Sequence, residues 1–143
     1  MTIPAPKAVR AAGLIVAVQG AAALVTAAVL VVRGIGGADQ HIVNGLGTAA
    51  WFVLVGSGVL AAGWALVAGK RWGRGPAVFT QLLLLPVAWY VAIGSQRPVL
   101  GIPVAIVALS ALVLLFSPPS LRWAVGDAHR DAANSANRAP DNR

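Results

Sequence analysis

The chain has 143 residues, of which 58% are hydrophobic and 10% charged, with 11 Lys and Arg against four acidic residues, all Asp, and no Cys. Disulfides, thiolate metal sites and cysteine nucleophiles are excluded, and a mean hydropathy of +0.78 sets the chain apart from soluble domains, where about a quarter of residues are charged. The formal charge of +7 would raise nucleic acid as a partner for a soluble protein, but no basic segment is interleaved with stacking aromatics, so the basic residues are read as topology signals and contacts to anionic lipid rather than as a nucleic-acid site.

The first apolar segment, Ala11–Val32, follows a short tail carrying Lys7 and Arg10. This has the outline of a signal peptide, with Gln19-Gly20-Ala21-Ala22-Ala23 as a cleavage region. The apolar run continues unbroken past it, beyond the roughly 7–15 residues of an h-region, and predicts an uncleaved helix. The connection Arg33–Gly47 contains five glycines and a polar centre, Asp39-Gln40-His41. Two ligands do not make a metal site; Asp39 is read instead as a cap for the second segment, Thr48–Val67. A Gly- and Arg-rich connection, Gly69–Gly75, leads to the third, Ala77–Ile93. Pro86 lies midway along it, lacks a donor for the Leu82 carbonyl and predicts a kink, with Gln81 one turn earlier placed to satisfy the freed backbone. Ser95–Pro98 reads as a tight turn, with Gly94 as a C-cap. The fourth segment, Val99–Phe116, has Pro103 near its start.

None of the four segments contains a charged residue, and each is near the ~20 apolar residues that cross a ~30 Å hydrocarbon layer as a helix. Short links favour antiparallel neighbours. The expected architecture is all-α: one integral membrane domain over residues 11–116, an antiparallel four-helix transmembrane bundle. Ser117-Pro118-Pro119-Ser120 stops the fourth span. Ser120 then caps a short interfacial helix through Leu121, Trp123 and Val125, and the Ala-, Asn-, Asp- and Arg-rich composition from Gly126 onward predicts disorder.

Four spans place Lys7, Arg10, Lys70, Arg71, Arg74, Arg122, Arg130, Arg138 and Arg143 on one side and leave only Arg33 and Arg97 on the other. By the positive-inside rule both termini are cytoplasmic. Trp51, Trp64, Trp72, Trp89, Tyr90 and Trp123 fall near span edges, where indole and phenol rings prefer the head-group level. Lys70, Arg71, Trp72, Arg74 and Trp123 are accordingly read as topology determinants and lipid anchors.

Polar side chains inside spans are the first place to look for function. They are Gln19, Thr26, Thr48, Ser57, Thr80, Gln81 and Ser110, none of them ionisable. A proton-coupled exporter would carry a carboxylate at depth, and an intramembrane protease or metalloenzyme a Ser/His, paired-Asp or His/Glu cluster. His41 and His129 lie on opposite sides. Small residues supply the other signal. Ala49, Gly56 and Gly63 recur at seven-residue spacing, as do Ala12, Gln19 and Thr26, and Pro103, Ser110 and Ser117; Ala77, Gln81, Ala88 and Ala92 share a face. Such faces let helices approach closely, and a buried Gln or Ser bonds across to a neighbour. Ala49, Gly56, Gly63, Gln19, Thr26, Gln81 and Ser110 are thus the helix-packing candidates.

The segment QLLLLPVAWY (81–90), the turn Arg97-Pro98, the start Gly101-Ile102-Pro103 and the ending SPPSLRW (117–123) resemble the small four-span integral membrane proteins of actinobacteria, a group of uncharacterised function. Ala/Val/Gly-rich spans and Arg-rich, Lys-poor usage suit the GC-rich genomes of that group. The resemblance covers spans three and four best and implies a multi-pass protein of the plasma membrane. With no catalytic constellation, no cofactor and no metal ligand set, the expectation is a non-catalytic accessory or structural subunit packed in the lipid bilayer against a larger membrane complex. Self-association into a small transporter or pore is the alternative, lined by Gln19, Thr26, Ser57, Gln81 and Ser110. An enzyme would require His41, Asp39 and Arg97 to cluster.

Overall fold

Pro6 holds the chain extended (φ −56°, ψ 153°) and gives way to α1, Lys7–Ile35. The computed structural model describes residues 4–37 and 42–138, with the backbone alone for residues 42–44 and 127. Four further helices follow: α2 (Ile42–Val67), α3 (Arg74–Trp89), α4 (Pro98–Leu115) and α5 (Pro118–Arg138). No strand occurs among the described residues. Stretches centred on α1 to α4 are long and apolar enough to cross a membrane, where a helix closes its own backbone hydrogen bonds without water.

The boundaries depart from expectation at three places. The first connection is shorter than Arg33–Gly47, because Gly45 and Gly47 are helical within α2. Their neighbours Val43, Leu46 and Ala49 are apolar, and in an apolar solvent the helix is the cheapest way to satisfy a backbone. The cap assigned to Asp39 lies outside the described residues. Next, α3 passes through Pro86 and runs directly into a π turn, Tyr90–Gly94. The Ser95 amide there donates to the Tyr90 carbonyl at 2.9 Å, so the irregularity expected at Pro86 takes the form of a wider turn just beyond it. Ser95, not Gly94, caps this element, and Gln96 makes the turn at φ +52°. Finally, the tail is helical to Arg138. Alanines at 124, 128, 132, 133 and 136 supply high helix propensity, and no proline interrupts between Pro119 and Pro140.

The turn that ends α2 needs a glycine. At the end of α2 the Lys70 amide donates to the Ala65 carbonyl (2.7 Å) and the Gly69 amide to the Leu66 carbonyl (3.1 Å), with Gly69 at φ +77°. This is a Schellman cap, whose central residue must be left-handed.

α1 and α2 form an antiparallel pair with the most extensive contact in the molecule; α3 and α4 form a second, and the pairs meet along α1–α4 and α2–α3. Side chains from the start of α1 (Val9, Ala12, Val16), the end of α2 (Val59, Leu66), the start of α3 (Ala77), the end of α4 (Leu115) and α5 (Trp123) make one buried cluster. That cluster defines an end of the bundle, which also carries Lys70, Arg71 and Arg74 and is called the basic end below. Elsewhere the packing is thin. Only 17–28% of each apolar span window is buried inside the protein, and Leu14, Val18, Leu54, Phe79, Leu83 and Val113 are among the large side chains left facing outward. Contiguous apolar surface on this scale is an association hazard in water and an ordinary lipid-facing surface in a bilayer.

Candidate functional site

Two features lie inside the bundle: a glycine seam between α1 and α2, and a polar contact between α1 and α3. The seam is formed by Gly13 and Gly20 of α1 and Gly56 and Gly63 of α2. A Cβ on Gly63 would collide with the Ala17 amide nitrogen and stand 2.8 Å from the Gly13 carbonyl oxygen, and one on Gly20 would collide with the Leu60 amide nitrogen. The two backbones therefore touch, as small residues permit. Gly56 is looser, with the nearest atom to an added Cβ, that of Ala23, at 3.1 Å. Ala49 is buried on the same face. On α1 the matching stripe is Gly13-Gly20-Ala27-Gly34, all buried. It repeats every seven residues and is offset by one from the expected Ala12-Gln19-Thr26. The expected register follows the polar members; the glycines, one position on, mark where the backbone approaches.

Gln19 and Gln81 meet. The Gln81 side-chain amide donates to Gln19 Oε1 at 2.7 Å, and the Gln19 amide donates back to Gln81 Oε1 at 3.2 Å. Gln81 is fully buried, so an unmatched carboxamide here would bear its whole desolvation cost. The reciprocal pair joins α1 to α3. It occupies Gln81 with a side chain of another helix rather than with the backbone freed by Pro86.

The remaining polar candidates do not join this pair. Thr26 bonds its own helix at Ala22 (2.9 Å), Thr80 at Pro76 (2.8 Å) and Ser110 at Ile106 (2.7 Å). Thr26, Ser57 and Ser110 lie on exposed faces. The expected lining residues are thus dispersed around the bundle rather than gathered on one path through it. Of the His41, Asp39 and Arg97 group, Asp39 and His41 lie outside the described residues. No group of three potential metal ligands comes together among the described residues.

The anchors at the basic end divide into three kinds. Trp72 is exposed, in keeping with a head-group position, as is Lys70. Trp123, read from the sequence as a lipid anchor, is instead 4% exposed and packs in the core cluster. The reason lies just before it. Ser117 and Ser120 both donate to the Leu114 carbonyl, at 2.8 and 2.7 Å, with their hydroxyls 2.9 Å apart. This turns α5 back under the bundle and drives the indole inward. Ser120 therefore satisfies the end of α4 instead of capping α5. Arg74 donates to the Leu115 carbonyl at 3.0 Å and lies over the Phe116 ring at 5.7 Å, a cation placed at a helix C-terminus where the dipole favours it. Arg71 donates to the Ala124 carbonyl at 3.4 Å and pairs with Asp131. Both arginines hold elements together as well as facing solvent.

No family model, curated protein or solved structure matches this chain.

Proposed function

We propose that this is a multi-pass protein of the plasma membrane, with both termini cytoplasmic, acting as a non-catalytic accessory subunit that packs against a larger membrane complex. The observation that carries the reading is the contrast between inside and outside. The interior polar groups Gln19 and Gln81 satisfy each other, while the outer faces of the four spans are predominantly apolar and present large side chains on every span. A protein whose polar groups are spent on its own packing has its outer faces left for recognition. The bias of basic residues toward one end supports the orientation, and the four helices long and apolar enough to cross a membrane support a multi-pass location.

A transporter or pore built by self-association is the competing reading, and it draws on the exposed hydroxyls Thr26, Ser57 and Ser110. The test is purification of the tagged protein from its native membrane in mild detergent, with native mass and identification of co-purifying chains. A stoichiometric larger partner is expected. A pure homo-oligomer would overturn the accessory reading and direct the next measurement to flux in liposomes.

A further inference from the structure

The cations of the basic end are not equivalent. Arg71 and Arg74 are engaged by carbonyls, a carboxylate and an aromatic ring. The side chains of Arg10 and Lys70 make no hydrogen bond or ion pair among the described residues. Yet these two, sixty positions apart in the chain, line the same cleft of about 420 Å³, between the start of α1 and the end of α2. Its other walls are Pro4, Ala5, Val67, Ala68 and Gly69. The antiparallel seam sets the two helix ends side by side, and the left-handed Gly69 turns the chain so that Lys70 meets the beginning of α1. No carboxylate is among these walls, and neither cation has an acidic partner among the described residues. A guanidinium offers a planar fork and an ammonium a compact point charge, and phosphate oxygens accept from both.

We infer that this cleft binds a phosphate group, and that its source is the head group of an anionic phospholipid. The place in the fold selects that source over a soluble one. Arg10 lies in the first turn of the Lys7–Ile35 span and Lys70 three residues beyond the Gly45–Val67 span, which is close to phosphate depth when those helices cross a bilayer. The lining joins two exposed cations to apolar walls, Val67 among them at the end of the second span, so an amphiphile meets both halves of the site. This rests on the helices crossing a membrane and not on the accessory-subunit reading, and it holds for a monomer, a homo-oligomer or a larger complex alike.

The test uses the full chain in neutral detergent, with native mass spectrometry to count bound lipid and titrations of phosphatidylglycerol, phosphatidylcholine and inorganic phosphate. Phosphatidylglycerol is expected to bind saturably, and Arg10→Gln with Lys70→Gln to weaken it about 30-fold, the factor that two ordinary cationic contacts give. Arg33→Gln with Arg97→Gln, near the opposite end, is expected to leave it unchanged. The side chains of Arg10 and Lys70 make no bond to another part of the fold among the described residues, so the Arg10/Lys70 variant should melt at the parent temperature. Full binding by the Arg10/Lys70 variant overturns the site, and equal affinity for phosphatidylcholine, whose choline cation offsets its phosphate, overturns the anionic head group as its ligand. Inorganic phosphate binding as tightly as the lipid, and lost in the same variant, overturns the lipid source.

Discussion

At single residues the decisive quantity is distance between backbones. Gly63 and Gly58 are five positions apart on one helix, yet an added Cβ collides with the Ala17 backbone in the first case and meets nothing within 4 Å in the second. Gly63→Ala should therefore separate α1 from α2 and cost about 1–3 kcal/mol, the usual range for overpacking. Gly58→Ala should be within about 0.5 kcal/mol of the parent. Thermal melts of both variants in one detergent check this, and equal melting temperatures would remove the seam. The amide pair makes a different kind of claim. Gln81→Leu strands the Gln19 carboxamide and is expected to cost about 1 kcal/mol, near the upper part of the range for interhelical bonds in membranes. The Gln19→Leu/Gln81→Leu double variant removes both partners, so its loss should fall below the sum of the single losses; strict additivity in that cycle would mean that the pair carries no coupling.

Among elements, α5 is the informative one. Its first turns are tied down by Ser117, Ser120 and buried Trp123, whereas its later turns touch the bundle through Arg71 and Asp131, whose side chain is 70% exposed. Such a surface pair contributes roughly 0–1 kcal/mol. Deleting residues 127–143 should leave insertion and melting nearly unchanged, while Trp123→Ala should cost about 3–5 kcal/mol, as expected for emptying a buried indole site. Protease resistance of the two proteins in membranes separates them. The four apolar helices were legible because uninterrupted runs of uncharged residues leave a chain few other solutions. The depth of Trp123 was not, since an indole after a span suits the head-group level equally well. Its burial depends on Ser117 and Ser120 bonding back to the Leu114 carbonyl, a contact that no apolar periodicity records. The Gln19–Gln81 pairing was equally hidden, because spacing places each glutamine on a helix face without saying which helices face each other.

For the whole molecule the basic end is the organising fact. It gathers the start of α1, the end of α2, the start of α3, the end of α4 and the first turns of α5. If that end faces the cytoplasm, a reporter active only outside the cell and fused at the C-terminus should give no signal, while the same reporter inserted after Gly37 should be active; a strong C-terminal signal would break the four-span arrangement. The amide pair has a consequence in time as well as in space. Synthesis delivers α1 and α2 before α3, so if the helices insert as they are made, the first hairpin meets the bilayer with the Gln19 carboxamide still lacking Gln81. A chain cut short after Ala68 would keep the Gln19 carboxamide without its Gln81 partner, a polar group that is costly at membrane depth. Such a fragment should be degraded faster than the same fragment carrying Gln19→Leu, so that the pairing which joins the finished helices also signals that the chain is whole.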